Sequence, residues 1–486
     1  MVSFRHTKLV CTIGPASETE EILTGMLDAG MDVARLNLSH GTLDEHTRRL
    51  ERLRRLSGRH QRQLAVMLDI QGPKIRLGDL PDEPIRLKPG DVVVLEGVEP
   101  GEPAGPGAIA VGYPQLAQSV RPDQAIHLDD GAIRLVVESV EERRVRCRVQ
   151  NGGLLRSRKG VALPGVDVAL PALTAADRQH LLWAARVGVD FVAASFVRRA
   201  EHVEAVRDEL RRAGSRACIV AKIESAEGLR NLDAIVASAD GVMVARGDLG
   251  VDIPLEEVPL AQKEIIRRCN AAGKPVIVAT QMLESMVRSP LPTRAEVTDV
   301  ANAIFDGADA VMLSGETAVG EHPVEAVSML HRIAISAERA YPYWRDPGSW
   351  PGRGPGAPAA AGALDPTVAQ AISRATCEAA EDVGASAILC STQSGATARM
   401  VARFRPRAPI VAATPYSEVA RQLAVVWGVV PVVVPRARNI DEMIDVSLGA
   451  ARETNLVSSG DRVVVAAGVK TDLPGSTNML QVHQVP

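Results

Sequence analysis

Residues 217–225 read ACIVAKIES. A short apolar run ends in a lysine and a glutamate two positions apart. On a β-strand, side chains two apart point the same way, so Lys222 and Glu224 share a face at the strand's end. The same texture recurs along the chain: KLVCTIG from Lys8, MDVARLNLS from Met31, LAVMLDI from Leu64, DFVAASF from Asp190, DGVMVARGD from Asp240, KPVIVAT from Lys274 and DAVMLSGE from Asp309. Each run ends in polar residues and is followed by a helix-like segment. Apolar runs of this kind suit parallel strands buried on both faces. Eight alternations of strand and helix predict a (β/α)8 TIM barrel. An open doubly wound sheet also fits the alternation, and the count alone does not separate the two.

Between the third and fourth runs the pattern changes. VVVL, AIHLDDGAIRLVVESV and RRVRCRVQ are broken by Gly, Pro and Asp and carry no helical period. They predict a small all-β domain, residues 74–165, inserted in a barrel spanning 1–73 and 166–345. Residues 346–364 lie in a Pro/Gly-rich linker. From 365 to 486, a helix over Thr367–Val383 and the runs ASAILCST, PIVAAT, VVPVVVP and DRVVVAAG predict an α/β domain with an open sheet.

The chain has 486 residues, 46% apolar but 3% aromatic, with a net charge of −4 and an isoelectric point near 6.2. A nucleic-acid partner usually needs a basic patch and stacking aromatics, so none is expected. The six cysteines form no C-x-x-C pair, which argues against a disulfide framework or zinc site. No apolar run is long enough to span a bilayer and the N-terminus lacks a signal-type core, so a soluble cytoplasmic protein with no membrane partner is expected.

In a (β/α)8 barrel the site lies at the C-terminal strand ends. Period-2 reading places Arg35, Asn37 and Ser39 on strand two, Asp69 on strand three and Ser195 on strand four. It places Lys222 and Glu224 on strand five, Arg246 and Asp248 on strand six, Thr280 on strand seven, and Ser314 with Glu316 on strand eight. Glu224 and Asp248 are hard oxygen donors suited to Mg²⁺. Arg35, Lys222 and Arg76 are cations suited to phosphate. Carboxylates and cations around a metal fit phosphoryl transfer, where catalysis is mostly positioning and charge neutralisation. The turn ARGDLG, from Ala245, offers backbone N–H groups to a substrate carboxylate. Blander readings weigh against some of these: Asp69 as a turn cap, Ser195 as strand filler, Glu316 as the partner of a structural cation. Thr293 and Glu296 read best as a capping box, and Met282 and Met286 as core.

ARLNLSHG (34–41), RKGVALPG, AKIESAEGLRN, VARGDLGVDIP, ATQMLESM and PTRAEVTDVANAIFDGADAVMLSGETAVG resemble the pyruvate kinase family, in order and over nearly the whole chain. The resemblance implies phosphoryl transfer from phosphoenolpyruvate to ADP, giving pyruvate and ATP, with Mg²⁺ or Mn²⁺ on Glu224 and Asp248. It implies that Lys222 and Arg35 contact the transferring group, and that the Gly247 and Asp248 amides with Thr280 hold the substrate carboxylate. Thr280 and Ser314 would support a water relay to the enolate, and Asn37, His40, Arg76 and Lys159 would contact the nucleotide. The β domain would act as a closing lid. The resemblance also implies a homotetramer and a regulatory phosphate loop in CSTQSGATARM. Ser391, Thr392, Ser394, Gly395 and Thr397 are its candidates, for a sugar phosphate or nucleotide monophosphate. Two other classes, a metabolite-sensing inactive paralogue and a metal-dependent aldolase or lyase, are disfavoured by the intact Lys222, Glu224, Asp248 and Thr280 and by the inserted domain.

One stretch departs from the family. Many members read LDTKGPEIRT and use K⁺ at positions matching Asn37, Ser39 and Asp69 and the residue after it; this chain reads LDIQGPKIRL, with Ile70 and Lys74 in place of threonine and glutamate. A tethered ammonium supplies the unit charge of K⁺. Lys74 is therefore expected to stand in for the potassium ion, so that K⁺ is not required.

Overall fold

The computed structural model describes residues 4–60, 62–80, 83–340, 367–468 and 477–486. The linker expected at 346–364 lies outside them. All eight apolar runs form strands: Lys8–Thr12, Val33–Asn37, Ala65–Ile70, Phe191–Ala194, Cys218–Ile223, Gly241–Ala245, Val276–Ala279 and Ala310–Leu313. They pair in parallel and in order, and the last closes onto the first, Lys8 beside Ala310. Closure removes the open-sheet alternative.

Alternation sorts each strand. Val10, Val33, Met67, Ala193, Val220, Met243, Ile277 and Met312 fill the barrel interior, all 2% exposed or less. The opposite parity, such as Leu36, Leu68, Ile219, Val242 and Val278, packs against the helices. Helix starts are marked by reciprocal caps, Thr42 with Glu45, Thr174 with Asp177 and Thr293 with Glu296, which satisfy otherwise orphaned amides. Gly188 and Gly273 end two helices at φ of 70° and 67°, where a Cβ would be strained.

The inserted domain is a six-stranded sheet, with Ala125–Leu128, Ile133–Glu141 and Arg144–Asn151 at its centre, plus a two-stranded ribbon. Its core is aliphatic, including Leu95, Val111, Leu128, Leu135 and Val145. At its neck, Arg76 bridges Gly160 in antiparallel fashion.

The last domain has a five-stranded sheet. Four strands, Ala387–Ser391, Ile410–Thr414, Val429–Val433 and Arg462–Ala467, match the expected runs and are parallel. The fifth, Met479–Gln484, was not expected and lies antiparallel to Arg462–Ala467 at the edge. This domain docks on the base of the barrel. Arg405 is buried there, with Nη1 on Asp309 Oδ1 at 3.0 Å, Nη2 on Gly307 O at 2.7 Å, and its guanidinium over the Trp427 ring at 4.9 Å.

Candidate active site

In six of the eight strands the interior parity leads, two residues further on, to a polar residue at the rim. Val10 leads to Thr12, Val33 to Arg35, Met67 to Asp69, Ala193 to Ser195, Val220 to Lys222 and Met312 to Ser314. The polar groups are therefore stacked on the apolar interior and converge at its open end.

Asp69, 1% exposed, organises the centre. Its Oδ2 accepts from Arg35 Nε at 2.8 Å, and its Oδ1 accepts from Ser195 Oγ and Lys222 Nζ, both at 3.2 Å. Burial works against its charged form, but the Lys222 and Arg35 charges outweigh burial and hold the carboxyl below its usual range. Arg35 Nη1 also donates to Thr12 Oγ1 at 2.9 Å. Lys222 Nζ donates to Ser195 Oγ at 2.7 Å and lies 2.9 Å from Glu224 Oε1. Burial alone would lower the Lys222 pKa; Asp69 and Glu224 raise it instead, so the ammonium stays charged.

Glu224 is the tense member. Burial pushes its pKa up, Lys222 pulls it down and Asp248 pushes it up again. Its Oε2 accepts from the Phe196 amide at 2.6 Å, and the buried Oε1 faces the Lys222 ammonium at 2.9 Å. Among the described residues no group of three or more His, Cys, Asp or Glu is placed to hold a metal. Two carboxylates still fit Mg²⁺, which fills its other positions with water and phosphate oxygens. Glu224 and Asp248 line one cleft with Arg35, Asn37, Ser39, His40, Asp69, Lys74, Arg76, Lys159, Ser195 and Lys222.

Similarity to known proteins gives the family. The sequence model for the pyruvate kinase barrel domain matches residues 4–327, and that for the pyruvate kinase alpha/beta domain matches 370–483. The chain is 48% identical to a pyruvate kinase of Geobacillus stearothermophilus, over 99% of this chain and 80% of that one. It is 45% identical to a pyruvate kinase of Clostridium acetobutylicum, over 99% of this chain and 100% of that one. The chain belongs to the pyruvate kinase family.

In this pyruvate kinase chain, Gly247 and Thr280 meet at the ends of neighbouring strands. The Gly247 amide donates to Thr280 Oγ1 at 2.8 Å. Thr280 has φ +71°, rare for a β-branched residue. Arg246 holds it there, donating from Nη2 to Thr280 O at 2.7 Å, with Nη1 on Asp299 at 2.8 Å. The Ser314 hydroxyl is buried without a hydrogen-bond partner among the described residues. Among the described residues Glu316 pairs with no cation; it accepts the Leu283 and Ser314 amides at 3.0 and 2.7 Å and fixes the loop.

Lys74 lines the same cleft as Asn37, Ser39 and Asp69, but its ammonium bonds to other groups. Asp69 is held by Arg35, Ser195 and Lys222, and Asn37 Oδ1 accepts from the Ser39 amide at 3.1 Å. Lys74 Nζ instead donates to Asp248 Oδ1 at 3.0 Å and to Asp130 Oδ1, on the lid, at 2.9 Å. Of the other nucleotide candidates, Lys159 pairs with Asp129 at 2.8 Å, Arg76 donates to Arg158 O at 3.2 Å, and His40 is exposed at the rim. In the last domain, Gly395, at φ +78°, donates to Thr392 Oγ1 at 2.9 Å. Thr397 Oγ1 meets Thr477 Oγ1 at 2.8 Å, and Arg399 donates to Ser394 O at 2.8 Å.

Thr12, Phe196 and Asp130 were missed in the sequence. Thr12 had a signal, its parity with Val10. Phe196, at φ +54°, and Asp130 act through a backbone amide and an interdomain contact, which leave no local pattern.

Proposed function

We propose that this pyruvate kinase transfers the phosphoryl group of phosphoenolpyruvate to ADP with Mg²⁺ or Mn²⁺ on Glu224 and Asp248, without requiring K⁺. The observation that carries the reading is Lys222, a buried ammonium held by Asp69 and Ser195 and paired with Glu224 Oε1 at 2.9 Å. Glu224 and Asp248 would hold a divalent ion, which when bound would offset the charge of the phosphate groups.

The chain's own groups supply the rest. An oxygen of the ADP β-phosphate attacks phosphorus, and the bond from phosphorus to the enol oxygen breaks. Lys222 and Arg35 face the moving group with fixed positive charge, already oriented by Asp69, so little reorganisation is needed. The Gly247 and Asp248 amides and Thr280 bind the substrate carboxylate. The enolate then takes a proton at C3, and the partnerless Ser314 hydroxyl with Thr280 supports a water relay there. Asn37, His40, Arg76 and Lys159 face the nucleotide, and the lid (74–165) excludes water from the barrel site. Lys74 places a permanent cation in the same cleft, which supports K⁺ independence from a position on Asp248 rather than on Asp69.

The 365–486 domain is proposed as regulatory, with Ser391, Thr392, Ser394, Gly395 and Thr397 binding a sugar phosphate or nucleotide monophosphate. The enzyme is proposed to work as a cytoplasmic homotetramer; among the described residues, no helix is long and apolar enough to cross a membrane.

The test is pyruvate formation from phosphoenolpyruvate and ADP with Mg²⁺ in potassium-free buffer, followed by KCl at constant ionic strength. Full activity without K⁺ is expected, and Lys74→Glu should lower it and make the remainder K⁺-responsive. Activity that appears only with K⁺ would remove the Lys74 assignment and leave the kinase.

A further inference from the structure

Where the last domain docks on the base of the barrel, a cleft of about 240 Å³ lies beside the Arg405–Asp309 pair. Four cations line it: Lys274 from the barrel, and Arg399, Arg403 and Arg405 from the last domain. Arg405 is neutralised by both oxygens of Asp309. Among the described residues, no carboxylate pairs with the other three. Lys274 Nζ donates to Ala239 O at 2.6 Å and Arg399 Nη2 to Ser394 O at 2.8 Å, both neutral carbonyls. Arg403, whose stem passes beside Gly273, has no hydrogen-bond partner for its buried Nε.

These charges also repel one another. Arg399 and Arg403 lie four apart at the end of the helix Ala396–Ala402, a spacing at which like charges disfavour each other. Burial lowers the Lys274 pKa; Asp240 opposes the shift, and Arg399 and Arg207 add to it. The barrel and the last domain therefore face each other here with like charge. Asp240 is already engaged, by Arg207 Nη1 at 3.2 Å and the Ile219 amide at 2.8 Å. Half-buried cations of one sign, without counter-charge, weaken the contact between two domains unless an anion joins them.

We propose that this cleft binds a small oxyanion, inorganic phosphate or the phosphate group of a small ester, between Lys274 on the barrel and Arg399 and Arg403 on the last domain. Its volume is below the roughly 300–1,000 Å³ of pockets that enclose drug-sized ligands, so it takes one anionic group rather than a whole nucleotide. Guanidinium forks match the oxygens of a phosphate, and the lysine adds a compact charge. The site is separate from the barrel rim: Lys274 precedes the strand Val276–Ala279, whose other end carries Thr280. None of the hydroxyls proposed above for an effector lines it. An anion held from both sides stabilises the docked arrangement, because it binds that arrangement and not the parted one.

The experiment titrates inorganic phosphate, and separately glycerol 3-phosphate, into the full chain at constant ionic strength. Calorimetry reads the affinity, and hydrogen exchange is followed over 270–276 and 396–405. In the wild type, anion at ten times its dissociation constant should slow exchange of these segments by about tenfold. Arg403→Met and Lys274→Met each remove a charged donor, which should weaken binding by roughly 10- to 100-fold and abolish the slowing. In phosphate-free buffer Arg403→Met should unfold at a urea midpoint no lower than the wild type's, since it removes a repelling charge; a substitution that merely damaged the interface would lower it. Tighter binding of phosphate supports a site for the free ion, and tighter binding of glycerol 3-phosphate supports one for an ester. Binding of neither would overturn the proposal, as would binding that either variant retains in full. Loss of binding in Thr392→Val instead would place the anion on the effector loop and overturn the cleft.

Discussion

Ser195 Oγ accepts a hydrogen bond from Lys222 Nζ at 2.7 Å and donates one to Asp69 Oδ1 at 3.2 Å. One hydroxyl thus fixes both the position of the ammonium and the orientation of its counter-charge. Hydrogen bonds to charged groups contribute about 1.5–3 kcal/mol, so Ser195→Ala should lower kcat by roughly 10- to 100-fold. KM for phosphoenolpyruvate should change little, since Ser195 acts through Lys222. Steady-state kinetics decide it; an unchanged kcat would return Ser195 to the role of strand filler.

Glu224→Gln keeps the shape of the side chain and its acceptor for the Phe196 amide, but removes the charge. Disturbing groups behind metal ligands costs 10- to 100-fold in affinity, so losing a ligand charge should cost on the order of 100-fold or more. Mn²⁺ titration checks this. The raised pKa of Glu224, set by burial against the opposing pull of Lys222, adds that metal affinity of the wild type should fall as acid protonates this carboxyl.

Asp69 links the site to acid stability. Its folded carboxyl lies below the ordinary value of 3.8, because Lys222 and Arg35 overcome its burial. The unfolded chain therefore binds the proton more readily. The stability contributed by this group is complete above the unfolded value and is lost as pH falls through the lower folded one. Asp69→Asn should flatten the acid limb of the stability profile below about pH 4. It should also cost roughly 3–5 kcal/mol at neutral pH, since two buried cations lose their partner. Urea midpoints measured from pH 7 downward would show both effects, and an acid limb as steep as the wild type's would refute the first.

Arg405 should hold the last domain to the barrel. Arg405→Met leaves Asp309 buried without its cation, at a cost of about 3–5 kcal/mol. Limited proteolysis should then release the two parts more readily. Equal resistance to protease would mean that the apolar contacts suffice.

The barrel was legible because its rule is local. Val33 to Arg35 and Val220 to Lys222 are two-residue steps, and parity needs nothing beyond the strand itself. Lys74 was legible as an anomaly but not as a contact. Its stem spans a hinge to reach Asp248, 174 positions away, and a flexible lysine at a domain boundary reveals no direction in sequence. Thr280 was identified by type while its left-handed backbone was not, because that conformation is held by Arg246 from the neighbouring strand end. The edge strand Met479–Gln484 has no sequence signal of that kind, because MLQVHQ mixes polar with apolar residues, unlike the continuous apolar runs that mark its neighbours.

The bridge between Arg76 and Gly160 has a further consequence for how the chain is assembled. The third and fourth barrel strands lie side by side, Met67 against Phe191, although a whole domain separates them in sequence. Closing a loop of that length would ordinarily add an entropic cost growing with the logarithm of its length. Because the two ends of the insert are already tied together at its neck, the barrel meets it as the shorter connection 71–76 and 160–190, which carries the helix Ala175–Val187. The insert is in this sense a detachable module: replacing 77–159 by a tight turn should leave a chain that still closes its eight-stranded ring.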